Sequence, residues 1–151
     1  GTFDDFYRRI YRSMVFLARA TTQSAEAAEE IVQDAFVQLY QRWDQVDAPS
    51  AWLRRAVISL CTSWVRRVVR ARIAPPAPLE APPQDPDAAL DLEAALAKPS
   101  PLQRAAVVLH YLDDLPERDI AHALGCRVGT VKSTLSRARD TLRTELTDDR
   151  D

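Results

Sequence analysis

Glycine is scarce in this chain, with three residues in 151 against ten prolines. That leaves no glycine-rich loop to cradle a phosphate, and with few β-branched runs the signals for sheet are weak. Cysteine and histidine number two each. Cys61, Cys126, His110 and His122 do not fall at metal-ligand spacing, so neither a metal site nor a disulfide is expected. Both cysteines sit among apolar residues and read as buried free thiols, and His110 reads as an ordinary, partly buried histidine. No apolar run approaches the roughly 20 residues that span a bilayer, and no signal-peptide pattern opens the chain. A cytoplasmic protein without membrane insertion is expected. There is no Ser/His/Asp arrangement, so no catalytic residues and no cofactor are assigned.

What is present is helix-forming sequence with an uneven charge. Hydrophobic residues make up 46% and charged residues 28% of the chain, and the formal net charge is −2. Acids gather in residues 80–93, whereas residues 54–72 hold six arginines and no acid. Residues 127–143 hold Arg127, Lys132, Arg137, Arg139 and Arg143 against Asp140 alone. Two basic segments in an acidic chain point to two DNA-facing surfaces, with the other faces left for other partners.

Six prolines fall in APPAPLEAPPQDP, residues 74–86. Such a segment is neither helix nor central strand and is expected to run extended as a semi-rigid spacer. It divides the chain into two small units, both read as all-helical. In the first, Phe3, Phe6, Tyr7, Ile10, Met14 and Leu17 recur at helical spacing, and Ser24 caps a second helix that buries Ile31, Val32, Ala35, Phe36 and Leu39. A third helix starts at DAPS and runs through AWLRRAVISLCTSWVRR. In the second unit a short helix covers DAALDLEAAL, and Ser100 with Gln103 forms a capping box for PLQRAAVVLHYL. Pro116 opens PERDIAHAL and Gly125 ends it. The short turn into GTVKSTLSRAR then makes a helix-turn-helix.

Three helical faces are candidates for function. On the last helix Val128, Val131, Leu135, Ala138 and Leu142 share a stripe expected to pack inward. Gly129, Thr130, Ser133, Ser136 and Arg137 lie opposite. Short side chains followed by one guanidinium suit a helix that enters the major groove by its N-terminal half, and Lys132 and Arg139 flank it for phosphates. Arg127 stands where a helix takes a capping oxygen, which a guanidinium cannot supply. On the third helix Leu53, Val57, Leu60 and Trp64 form the expected core stripe. Arg55, Ser59, Thr62 and Arg66 form a ladder suited to a nucleic-acid backbone. The adjacent Asp47–Trp52 loop is a candidate for holding an unstacked base. On the second helix Glu30, Asp34, Val37 and Gln41 face away from the core, toward water or a basic protein surface.

EEIVQDAFVQLYQRW, DAPSAWLRR and PLQRAAVVLHYLDDLPERDIAHALGCRVGTVKSTLSRAR resemble, in that order, the group IV (extracytoplasmic-function, ECF) sigma factors of bacterial RNA polymerase. The SW of CTSWVRR is similar to the actinobacterial SigE-like branch. The resemblance implies an all-α fold of two small domains. These are a σ2-like helical bundle over 1–73 and a σ4-like helix-turn-helix domain over 87–151, joined by the Pro-rich linker 74–86. It implies an alternative sigma factor that directs promoter-specific transcription initiation, with core RNA polymerase (its β′ clamp helices and β flap), promoter DNA and an anti-sigma factor as partners. It places Glu30, Gln33, Asp34, Val37 and Gln41 at the polymerase. It places Asp47, Ser50, Trp52, Arg54, Arg55, Ser59, Thr62, Arg66 and Arg67 at the −10 element. Arg127, Thr130, Lys132, Ser133, Thr134, Ser136, Arg137 and Arg139 go to the −35 element. The chain departs from the family at four of these: Ser59 stands where Asn is common, Thr62 and Thr134 where Arg is, and Arg127 where Ser or Pro is. The competing expectation is a stand-alone LuxR-type helix-turn-helix regulator. It fits 100–143, but residues 1–73 lack the strand pattern and aspartate cluster of a receiver domain. A helical antagonist of polymerase would not need the GTVKSTLSRAR face.

Overall fold

The computed structural model describes residues 2–73 and 99–148, with side chains over 2–72 and 99–144. Among the described residues every regular element is helical: α1 (Phe3–Thr22), α2 (Ala25–Gln41), α3 (Pro49–Ile73), α4 (Pro101–Val107), α5 (Glu117–Leu124) and α6 (Val128–Asp148). A 3-10 turn, Trp43–Gln45, separates α2 from α3, and a π turn, Val108–Leu112, continues α4. The Pro-rich segment 74–86 and the short helix expected over 87–96 lie outside the described residues.

Local chemistry sets the ends. The Thr2 hydroxyl accepts from the Asp5 N–H at 3.2 Å, and the Ser24 hydroxyl from Ala27 N–H at 3.2 Å, each satisfying a donor that a helix start leaves open. The expected capping box is present: Gln103 N–H donates to Ser100 Oγ at 3.2 Å, and Ser100 N–H to Gln103 Oε1 at 3.1 Å. Helix α1 ends on Gln23 in the left-handed region (φ 60°), whose N–H returns to the Arg19 carbonyl. Helix α5 ends on Gly125 at φ 69°, where the missing side chain removes the usual penalty.

The core of the first three helices holds Met14, Leu17, Ala28, Val32, Ala35, Leu39, Leu53 and Val57, all essentially without exposure. Its two buried hydroxyls, Thr21 and Thr22, donate to the Leu17 and Ala18 carbonyls at 2.8 Å and so leave no unmet donor. Ala105, Leu109, Ile120, Val131 and Ala138 fill the space between α4, α5 and α6. The two groups of helices touch: α4 packs on α1, and α5 on α3.

Three expectations are corrected. The helix predicted over PLQRAAVVLHYL is α-helical only to Val107. Asp113 N–H then bonds the Val108 carbonyl at 3.1 Å, and the wider turn keeps Leu109 buried while Tyr111 and Leu112 emerge. Of the α6 stripe, Val131, Leu135 and Ala138 are buried, but Val128 and Leu142 are each 39% exposed because α6 outruns its partners at both ends. On α3, Ile58 and Cys61 join Leu53 and Val57 inside, whereas Leu60 and Trp64 are half-buried. That helix has packing partners on two sides, so its buried face is wider than one stripe.

Candidate nucleic-acid and protein interfaces

Helix α6 follows a tight turn. Cys126 N–H donates to the Ala121 carbonyl at 3.0 Å, closing the end of α5, and the Arg127 carbonyl accepts from Thr130 and Val131. Arg127, Gly129, Thr130, Lys132, Ser133, Ser136, Arg137 and Arg139 are exposed, and Thr134 is half-buried. A β-carbon built on Gly129 meets nothing within 4 Å, so the start of the face is open. Ser133 donates to the Thr130 carbonyl at 3.0 Å, which keeps its hydroxyl close to the helix. The flanking cations are already oriented. Lys132 lies 3.9 Å from Glu117, and Arg139 donates to Tyr111 Oη at 2.7 Å with its guanidinium 5.8 Å from that ring centroid. The exposed Arg137 side chain has no hydrogen bond or ion pair among the described residues.

On α3, Arg55, Ser59, Arg66 and Arg67 are exposed and Thr62 is half-buried, its hydroxyl turned onto the Ser59 carbonyl at 3.0 Å. Arg54 differs from the rest of the row. It is half-buried, and its Nε is inaccessible to water and without a hydrogen-bond partner. Burial raises the Asp113 carboxyl above its usual range, and the Arg54 guanidinium opposes that shift, so the two lie within each other's field. Asp47 is exposed, and Ser50 and Trp52 are half-buried. Asp47, Ala48, Ala51 and Trp52 line a depression whose far rim is His122 of α5.

On α2, Glu30, Gln33, Asp34, Val37 and Gln41 are all exposed. Periodicity missed what adjoins them. Tyr40 is 66% exposed and Val37 56%, and with Phe3, Tyr7, Gln33 and Phe36 they line an apolar depression. Tyr7 stacks edge-on to Phe36 at 4.7 Å and Phe3 to Tyr40 at 5.1 Å, so the hollow is built of interlocked rings. The signal was present in the i, i+3 pair Val37 and Tyr40, which puts a second apolar residue on an acidic face. Of the two thiols, Cys61 is buried and its pKa is pushed up to about 12 by burial; Cys126 is only half-buried. Among the described residues no three His, Cys, Asp or Glu side chains gather as a metal group, and no helix is long and apolar enough to cross a membrane.

Residues 6–71 match the Sigma-70 region 2 family and residues 89–142 the Sigma-70 region 4 family. The chain is 36% identical to the ECF RNA polymerase sigma factor SigM of Mycobacterium tuberculosis, across 91% of this chain and 73% of that one. It is 33% identical to the RNA polymerase sigma-E factor of Streptomyces coelicolor, across 95% and 85%. Its fold is similar to that of the sigma factor RpoE from Bartonella quintana, solved with the anti-sigma factor NepR (TM-score 0.68, 24% identity, 95% of this chain and 97% of that one). With both regions present in order and actinobacterial relatives matched over most of their length, the chain belongs to the ECF sigma factors of bacterial RNA polymerase.

Proposed function

We propose that the chain gives core RNA polymerase its promoter specificity, reading the −35 element with α6 and the −10 element with α3 and the Asp47–Trp52 loop. The α6 face carries this reading: an open Gly129, short polar residues and an unengaged Arg137, over a stripe held by Val131, Leu135 and Ala138. Arg137 bonds a guanine edge, Lys132 and Arg139 hold phosphates, and Arg127 with the open N–H groups of the first turn takes another phosphate. On α3, Arg55, Ser59, Thr62, Arg66 and Arg67 follow the single strand, with Ser50 and Trp52 beside the unstacked base. The acidic face of α2, Glu30 to Gln41, docks on a basic surface of the polymerase. Residues 1–73 and 87–151 act as two domains on the linker 74–86, and binding both elements at fixed spacing multiplies two weak contacts. The protein does no chemistry itself and works in the cytoplasm, with an anti-sigma factor as a further partner by likeness to its relatives. Helices packed through residues 2–73 favour this reading over a LuxR-type regulator with an α/β receiver domain. Adding the purified chain to core polymerase should yield initiation at defined promoters. Unchanged transcription, together with tight operator binding by the chain alone, would refute the proposal.

A further inference from the structure

The Asp47–Trp52 stretch has a hollow on each side. Asp47, Ala48, Ala51 and Trp52 line the one already described, and Pro49 and Ser50 line a second, at the start of α1. The second hollow measures about 250 Å³, and Asp5, Phe6, Arg9 and Trp43 lie around it. Trp43 packs against Phe3 and Phe6 with ring centroids 5.4 Å away in each case, so its half-buried indole is held by two rings. Phe6 itself is buried. Trp43, Phe6 and Pro49 thus give the hollow flat apolar walls.

The polar groups around these walls are unspent. Asp5 and Arg9 are exposed on one face of α1, four residues apart, where opposite charges readily pair. No ion pair joins them. The Arg9 guanidinium lies 5.8 Å from the Phe6 ring centroid instead, a cation–π contact that keeps it at the edge of the hollow. The Asp5 N–H donates to Thr2 Oγ1 at 3.2 Å, but among the described residues its carboxylate has no partner, and neither has the Ser50 hydroxyl. An acidic peptide would gain Arg9 and meet repulsion from Asp5, and a basic peptide the reverse. A nucleotide satisfies both, because its phosphate and the donors on its base edge are separate. The volume falls below the roughly 300–1,000 Å³ of pockets that hold drug-sized ligands, which suits a single base.

We infer that this hollow is a second nucleotide subsite for the opened strand, with Arg9 on a phosphate, the base against Trp43, and Asp5 reading the base edge. The inference rests on the −10 role proposed for α3 and the Asp47–Trp52 loop. Ser50 links the two sites, since it lines this hollow and stands at the head of the α3 row. A strand that leaves one base on the Trp52 side and crosses Ser50 meets Arg9 next. An ionised carboxylate only accepts hydrogen bonds. The subsite therefore favours bases with an exocyclic amino group (cytosine, adenine or guanine) and disfavours thymine, whose edge carries two carbonyls.

The test uses holoenzyme reconstituted with the full chain, on a promoter from which it initiates. The non-template strand of the −10 region is left unpaired, and each of its positions carries C, A, G or T in turn. At one position thymine should bind about two- to tenfold more weakly than the other three bases, the range for one hydrogen bond. Asp5→Asn, whose amide both donates and accepts, should erase that difference and leave preferences at the other positions in place. Arg9→Gln should weaken all unpaired probes alike and make the log–log salt dependence shallower by about 0.7, the share of one single-strand phosphate. Arg66→Gln, in the exposed row of α3, should weaken the same probes and reports on the −10 role itself. Parental base preferences and salt slope in Asp5→Asn and Arg9→Gln, with Arg66→Gln weakened, would overturn the subsite and leave the −10 role standing. No effect from Arg66→Gln either would overturn both. Equal losses from Asp5→Asn and Arg9→Gln on a fully paired probe would also overturn the subsite.

Discussion

Helices α3 and α6 both carry rows of arginine, but they differ in what lies over them. The α6 face is open from Arg127 to Arg137, its first turn narrowed by Gly129 and its flanking cations steered by Glu117 and Tyr111. The α3 row is open at Arg55, Ser59, Arg66 and Arg67, but near its start Arg54 is half-buried, with its Nε closed off from water and Asp113 in its field. A helix at the surface with one packed stripe can present its whole opposite side. A helix with partners on two sides exposes a narrower strip. On the proposed reading, the duplex face of α6 is open along its length and the strand face of α3 is open in part.

Substitutions can break that comparison at several levels. Leu53 has no exposure and anchors α3, so Leu53→Ala should cost about 2–5 kcal/mol in denaturant unfolding and dislodge the strand-reading face while α6 keeps its own packing. Arg137→Ala should lower −35 discrimination by about 1–3 kcal/mol, measured as holoenzyme binding to cognate against scrambled −35 DNA. An equal loss on both sites would make Arg137 a phosphate contact. Arg127→Ser supplies the capping oxygen that a guanidinium lacks, so thermal unfolding should show a gain of about 0.5–2 kcal/mol. Its −35 binding should weaken on all sequences, with a shallower salt dependence. Gly129→Ala meets no atom within 4 Å and should stabilise α6 by about 0.5–1 kcal/mol, while duplex binding falls because the added methyl holds the helix off the groove. Glu30→Gln and Asp34→Asn should each weaken core polymerase by about 0.2–1 kcal/mol, with promoter preference unaltered among the complexes that form.

Much of this could be read from the sequence because the signals are local. Ser24, the Ser100–Gln103 box, Pro116 and Gly125 punctuate helices within a few residues, and the α6 face follows from a period and a sign of charge. What stayed hidden depends on distance. Nothing near Arg104 in the sequence marks the Ala20 and Thr21 carbonyls as acceptors of its guanidinium. The π turn at Val108–Leu112 breaks no propensity rule, so local sequence does not announce it. Leu142 keeps the stripe's period yet emerges beside Phe16, because a periodic pattern does not record where the packing partner ends. The aromatic hollow of Phe3, Tyr7 and Tyr40 joins two helices, and only Val37 hinted at it.

The central claim is that one chain delivers polymerase to two promoter elements, reading the first as duplex and the second as an opened strand. Footprinting holoenzyme reconstituted with this chain, combined with permanganate probing for unpaired thymines, tests it directly. The account predicts two protected blocks, with reactive thymines in the block nearer the start site, and loss of protection in the upstream block first when Arg137→Ala is used. One protected block without strand opening, equally strong with the chain alone, would contradict it.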